Sequence, residues 1–382
     1  MRAIITGLAL LYAMVLAAIP ARTQFANFQA PAMIMQPQGR LTLTSGVPVL
    51  RANVTAASTL YYDCLNGGNA VPYFNGSSDQ IDLIASCEVS DAMVSAASAG
   101  QVVYQQIYDV WWVHGGANRI CLAMSASTGG GGGWASDTGG GLNTRGTGYS
   151  QIDTTTRPYI TNKNSITNCF NGATQYGPVS ANQGTYLGTV YASGNTFSSG
   201  VPVTSNGVLA MNFTPAAAAG GGGPILGVFN AYNRQPFEAQ SIDSTSSWTY
   251  GTATWRRTNG TGTNSGLNNT VSYVDGLGSS FVWARNQELV NAASCSGANG
   301  IAIGVALNWA GGGAAPGGAQ GLTYQTSDVS NSATVTFLPS FGFNIVSALE
   351  TSYATGTACS LYGSGFGGNI GNTQSLMVRV TM

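Results

Sequence analysis

His114 is the only histidine in the chain, so any Ser-His-Asp or Cys-His site would have to use it. It heads a His-Gly-Gly turn shortly after Asp109 and reads most simply as a turn residue. Asp79, Asp82, Glu88 and Asp91 follow closely enough to raise a glycosidase-type pair, in which two carboxyls flank the bond to be cut. The same four offer calcium the right kind of ligand atom, but the spacing of a calcium loop is missing. Solvated acids near strand ends are the plainer reading. Six cysteines, at 64, 87, 121, 169, 295 and 359, form no Cys-x-x-Cys, which argues against zinc. Cys64 and Cys87 are close enough in sequence to close a local loop, and free buried thiols are the other reading. Gly129–Gly133, Gly220–Gly223 and Gly311–Gly313 are followed by no Gly-Lys-Ser/Thr, so none is a phosphate cradle. No catalytic residue, metal or cofactor is expected.

Two stretches suit binding better. Trp134 stands between two glycine runs, Gly129–Gly133 and Gly139–Gly141, with Tyr149 just beyond. Trp and Tyr amid Gly, Ser and Asn give rigid contact area with adaptable hydrogen bonds. Trp134 and Tyr149 are therefore the candidate binding loop, with an inert surface insertion as the alternative. Aromatics and arginines also crowd Val228–Arg257, VFNAYNRQPFEAQSIDSTSSWTYGTATWRR. In a regular strand Trp248, Tyr250, Thr252 and Thr254 share one face and Trp255 the other, so this segment reads as core rather than as a site. A bulge at Gly251 would instead bring the two tryptophans together.

What must position these residues is a set of short strands. Charged residues make up 7% of the chain, Lys163 is the single lysine, and 53 of 382 residues are glycine. Long helices need charged, water-facing side chains that this sequence lacks. At 44% hydrophobic the chain is still rich enough to fold. The pattern predicts an all-β, antiparallel sandwich or jelly-roll-like body with long Gly-rich loops. Gln101–Val113 reads as a central strand covered on both faces, with Arg119–Met124 as its hairpin partner. Thr59–Tyr62, Val71–Phe74, Thr185–Tyr191, Ile301–Trp309, Val335–Val346 and Leu376–Met382 read as further strands. A net charge of −1 offers no basic face for nucleic acid. So little charge suits a chain that lives packed in an assembly.

The organisation expected is four-part. Residues 1–22 form an apolar segment, a signal peptide or an anchor. Residues 23–37 form an extended linker, 38–76 a small β module, and 77–382 the sandwich body.

A series of short motifs runs through the chain in order: Gln38–Val49 (QGRLTLTSGVPV), Tyr61-Tyr62, Tyr73–Gly76, Tyr108–Val110, Arg119–Leu122, Thr144–Gly148, Asn182–Thr189, Phe229–Arg234 and Trp248–Arg256. Together they resemble a family of phage and prophage structural proteins encoded among tail or virion genes. The hydrophobic start, the poly-Gly insertions and the cysteines depart from that pattern. The resemblance implies a structural component exposed at the virion surface: a fibre, spike or decoration protein. Its partners would be other virion proteins, copies of itself and a host surface glycan. It transfers no catalytic residue. The alternative is a secreted or cell-surface β-sandwich that binds carbohydrate.

Overall fold

The structure is a computed structural model. It describes residues 36–92, 105–115, 119–123, 133–167, 169–172, 174–176, 178–193, 197–198, 201–202, 210–215, 218–219, 223–260, 269–291, 294–295, 300–309, 311, 320–322, 329–353, 358–364 and 374–382. The apolar segment 1–22, the linker up to residue 35, Gln101–Tyr104, Gly129–Gly132, Gly220–Gly222 and Gly312–Gly313 lie outside the described residues.

Residues Gln36–Met382 form one compact unit. It is all-β and sandwich-like, built on a 16-stranded and a 7-stranded sheet whose strands pair mostly antiparallel. The smaller sheet packs Pro236–Ile242, Val282–Asn291, Val329–Phe337 and Gln374–Thr381 over the part of the larger sheet formed by Thr270–Asp275, Ile301–Leu307 and Gly342–Ser352. Burial along Pro236–Ile242 alternates residue by residue, as in a strand with one wet face. Ile301–Leu307 is buried on both faces through most of its length, and its back face of Ala302, Gly304 and Ala306 lets the facing strands approach.

The other half of the larger sheet centres on Gln106–Val113, which pairs with Arg119–Ala123 on one side and Gly184–Ser193 on the other. All ten residues of Gly184–Ser193 are buried. Strands from the N-terminal region cover this half: Gly39–Thr42, Thr59–Cys64 and Glu88–Ala92 in one sheet, Ala70–Phe74 and Asp79–Leu83 in another. The pairing of these strands continues past residue 76 as far as Ala92. One apolar core runs from Leu41 to Met382, so both ends of the unit share it.

Two expected strands are broken. Val335–Val346 is the end of Val329–Phe337 and the start of Gly342–Ser352, which lie in different sheets. Pro339 has no N–H to give a ladder, and Gly342 takes φ 88°, a conformation that a side chain resists. Trp248–Arg256 is likewise no single strand. Ser247–Tyr250 pairs with Cys359–Tyr362 in the smaller sheet, and Arg256–Arg257 pairs with Leu349 and Glu350 in the larger one. The residues between them carry the chain from one sheet to the other. Trp248 is buried against Cys359 and Leu361, while Trp255 is half-buried.

Three disulfides join Cys64 to Cys87, Cys121 to Cys169 and Cys295 to Cys359. No cysteine is left free.

Candidate functional site

The motif residues do structural work. Asn230 holds the backbone of Leu41 from both sides, accepting from its N–H at 2.6 Å and donating to its carbonyl at 3.2 Å. Asn233 donates to the carbonyls of Pro37 and Gly39 at 2.9 and 3.2 Å. The Arg40 guanidinium donates to the carbonyls of Pro48, Asn233 and Met382. Gly39 N–H donates to the Tyr62 hydroxyl at 2.8 Å. The Gly-Arg-Leu and Asn-Ala-Tyr-Asn-Arg motifs thus form one clasp that ties the start of the unit to its C-terminus.

The proposed binding loop turns inward. Trp134 is fully buried, stacked on Phe341 at 4.9 Å, with the Arg145 guanidinium 4.6 Å from its ring. Tyr149 is half-buried and donates to the Gly133 carbonyl at 3.1 Å. Gly140 packs so closely on the Trp134 carbonyl that a Cβ there would collide with it. The glycine at 140 therefore seats the tryptophan in the core, and the expectation that Trp134 offers an exposed contact is corrected. Arg145 makes a two-pronged ion pair with Asp109, Nε to Oδ2 at 2.6 Å and Nη2 to Oδ1 at 3.2 Å, and also donates to the Tyr186 hydroxyl.

The four clustered carboxylates disperse. Asp79 accepts from Arg157 and from the Tyr159 hydroxyl. Glu88 accepts from Ser45. Asp91 is buried and accepts from Gly172 N–H at 2.7 Å. They alternate along separate strands, so sequence proximity does not make them converge. Among the described residues no group of three His, Cys, Asp or Glu side chains could hold a metal ion.

Asp82, not Asp109, is the partner of His114. Its carboxylate lies 2.9 Å from His114 Nδ1 and accepts from Trp112 Nε1 at 2.9 Å. A carboxylate only accepts, so Nδ1 carries the hydrogen. The imidazole stacks flat on Tyr73, ring centres 4.1 Å apart and planes 7° from parallel. The Tyr73 hydroxyl reaches Nε2 at 3.4 Å.

Tyr73 and His114 line a cleft of about 340 Å³ together with Phe74, Asn75, Arg119, Tyr176 and Gln183. It forms where the Ala70–Phe74 strand ends beside the paired residues Val113 and Arg119. Antiparallel register sets Arg119 opposite Val113, and the Arg119 guanidinium lies 4.0 Å over the Tyr176 ring. Burial first, and then the Asp82 carboxylate, hold the Tyr73 phenol above its ordinary pKa. An activated phenolate needs the opposite shift. At neutral pH Tyr73 keeps its proton and acts as a donor. With the cysteines in disulfides, no thiolate nucleophile stands beside His114. The arrangement is equipped to hold a ligand.

Sequence reasoning weighed His114 and Asp82 but read them as a turn residue and a solvated acid, and it passed over Arg119, Tyr176 and Gln183 as site residues. The hairpin register was the one available signal for Arg119. Nothing local marks Tyr176, which reaches the cleft because Cys169–Asn171 pairs with Arg119–Ala123 and carries Thr174–Tyr176 along beside it.

No family model matches the chain, and no curated protein matches it.

Proposed function

We propose that this protein is a non-catalytic structural component of a phage particle, exposed at the virion surface as a fibre, spike or decoration protein. The observation that carries the reading is the clasp. The motifs that resemble virion structural proteins are the residues that lock Leu41, Asn230, Asn233 and Met382 together. Motif residues that serve rigidity rather than chemistry are what a scaffold protein needs. The scarcity of charge supports packing against other virion proteins and against further copies of the chain. Mass spectrometry of purified particles tests this: the chain is expected in stoichiometric amount, and its absence sinks the proposal.

A secreted or cell-surface carbohydrate-binding protein is the second reading, favoured by the three disulfides and the apolar N-terminal segment. Under that reading the chain is recovered from culture medium with a mature N-terminus near Arg22.

A further inference from the structure

The cleft beside His114 holds more donors than acceptors. Among the described residues, the Arg119 guanidinium has the Tyr176 ring for a neighbour but no carboxylate partner. The Asn75 side chain spends its oxygen on the N–H groups of Ser77 and Ser78, at 2.8 and 2.9 Å, which leaves its NH₂ to the cleft. Gln183 lines the same space. The Asp82 carboxylate that pairs with His114 is also committed to Trp112. A partner for this wall must bring acceptors, and a negative charge opposite Arg119.

The rest of the wall is aromatic. Tyr73, Phe74 and Tyr176 give apolar surface beside these polar groups, and about 340 Å³ is room for one or two small rings. A planar guanidinium fits a carboxylate in two-pronged fashion. Amide side chains, with one donor and one acceptor end each, suit neighbouring hydroxyls.

We propose that this cleft binds an acidic saccharide, a sugar ring bearing a carboxylate, with the carboxylate on Arg119 and ring hydroxyls on Asn75 and Gln183. Tyr73, stacked on His114, gives its one hydrogen to Nε2 and offers the ligand its ring and its hydroxyl oxygen. Asp82 acts as a positioning residue, fixing the imidazole and through it the phenol. The cleft requires nothing of the particle, so this inference stands or falls apart from the virion reading.

Calorimetric titration of the full chain tests it, with a galacturonate trisaccharide, a neutral galactose trisaccharide and a triglutamate peptide as probes. The galacturonate is expected to bind, the neutral sugar at least about tenfold more weakly, and the peptide not at all. Arg119→Gln should lower galacturonate affinity by about tenfold while the melting temperature stays put. Gln183→Ala, which removes a side chain from the lining of the cleft, should weaken binding several-fold and gives the same readout if Arg119→Gln misfolds. Equal binding of the neutral sugar or the peptide, no binding of galacturonate, or full affinity in the well-folded variants would each overturn the proposal.

Discussion

Asn230 closes both hydrogen-bonding groups of Leu41, 189 residues away in sequence, with a single amide side chain. Both residues are buried, so no water replaces what a substitution removes. Asn230→Ala strands a buried N–H and a buried carbonyl and should cost about 2–4 kcal/mol. Asn230→Asp keeps the acceptor, loses the donor and buries a charge, so it should be no better. Urea denaturation of the two variants checks this. A loss below about 1 kcal/mol would mean that the clasp is not holding the unit together.

Arg145 and Asp109 form a buried ion pair roofed by Trp134 and Phe341. Removing either charge alone leaves the other unpaired in the core. Arg145→Met and Asp109→Leu should each cost about 3–5 kcal/mol, and the double variant should recover much of that loss. A double-mutant cycle reads the coupling directly. Trp134→Ala belongs with this group: it should cost about 3–5 kcal/mol by opening a cavity, and Trp134 fluorescence should resist iodide quenching.

Acidity should stabilise this protein over a wide window. Glu288 and Glu350 are fully buried, and burial pushes both carboxyls well above their ordinary range. Glu350 is the better compensated, accepting from Trp248 Nε1 at 2.9 Å and Arg256 Nε at 2.7 Å. Among the described residues Glu288 accepts only from Thr258 and Asn286, so it is the one that holds a proton more firmly. Burial also raises Asp91 to about 8. Burial, with Glu88 second, raises Asp63 to about 7. A carboxyl whose folded pKa is raised stabilises fully below its unfolded value, and that stability is lost as pH climbs through the folded value. Asp153 and Asp243 have the opposite sign. Hydrogen bonds from Thr156 and Thr155 hold Asp153 low; burial pushes Asp243 up, but hydrogen bonds from Asn269, Thr245 and Asn259 outweigh it, so both contributions disappear in strong acid. Denaturation midpoints should therefore peak near about pH 4–5, decline toward pH 8 and collapse at low pH. Glu288→Gln should flatten the decline and gain at least about 1 kcal/mol at pH 8. Midpoints that rise from pH 5 to 8 would contradict the assignment.

The disulfides close loops of 23, 48 and 64 residues. Closing a longer loop removes more freedom from the unfolded chain, so Cys295–Cys359 should contribute most and Cys64–Cys87 least, with a spread of only about 1 kcal/mol. Paired Cys→Ser variants, melted one disulfide at a time under non-reducing conditions, give the order. Full reduction should cost more than any single removal.

The sequence alone determined the fold class. Scarce charge leaves no wet face for long helices, while period-2 runs such as Ile301–Leu307 and the doubly apolar Gln106–Val113 can be covered only within sheets. Those signals are local, because each depends on residues within a few positions of one another. Tertiary structure decided what depends on distance. It paired His114 with Asp82 and gave Asp109 to Arg145, although Asp109 is the nearer in sequence. It turned Trp134 inward, because Gly140 admits its backbone and Arg145 and Phe341 cover its ring. It split Trp248 from Arg256 between two sheets, then returned both side chains to Glu350. It also brought Arg119, Tyr176 and Asn75 to one cleft from three separate strands or strand ends. Side-chain alternation fixes which face a residue takes. Only the packing of strands distant in sequence fixes what it meets there.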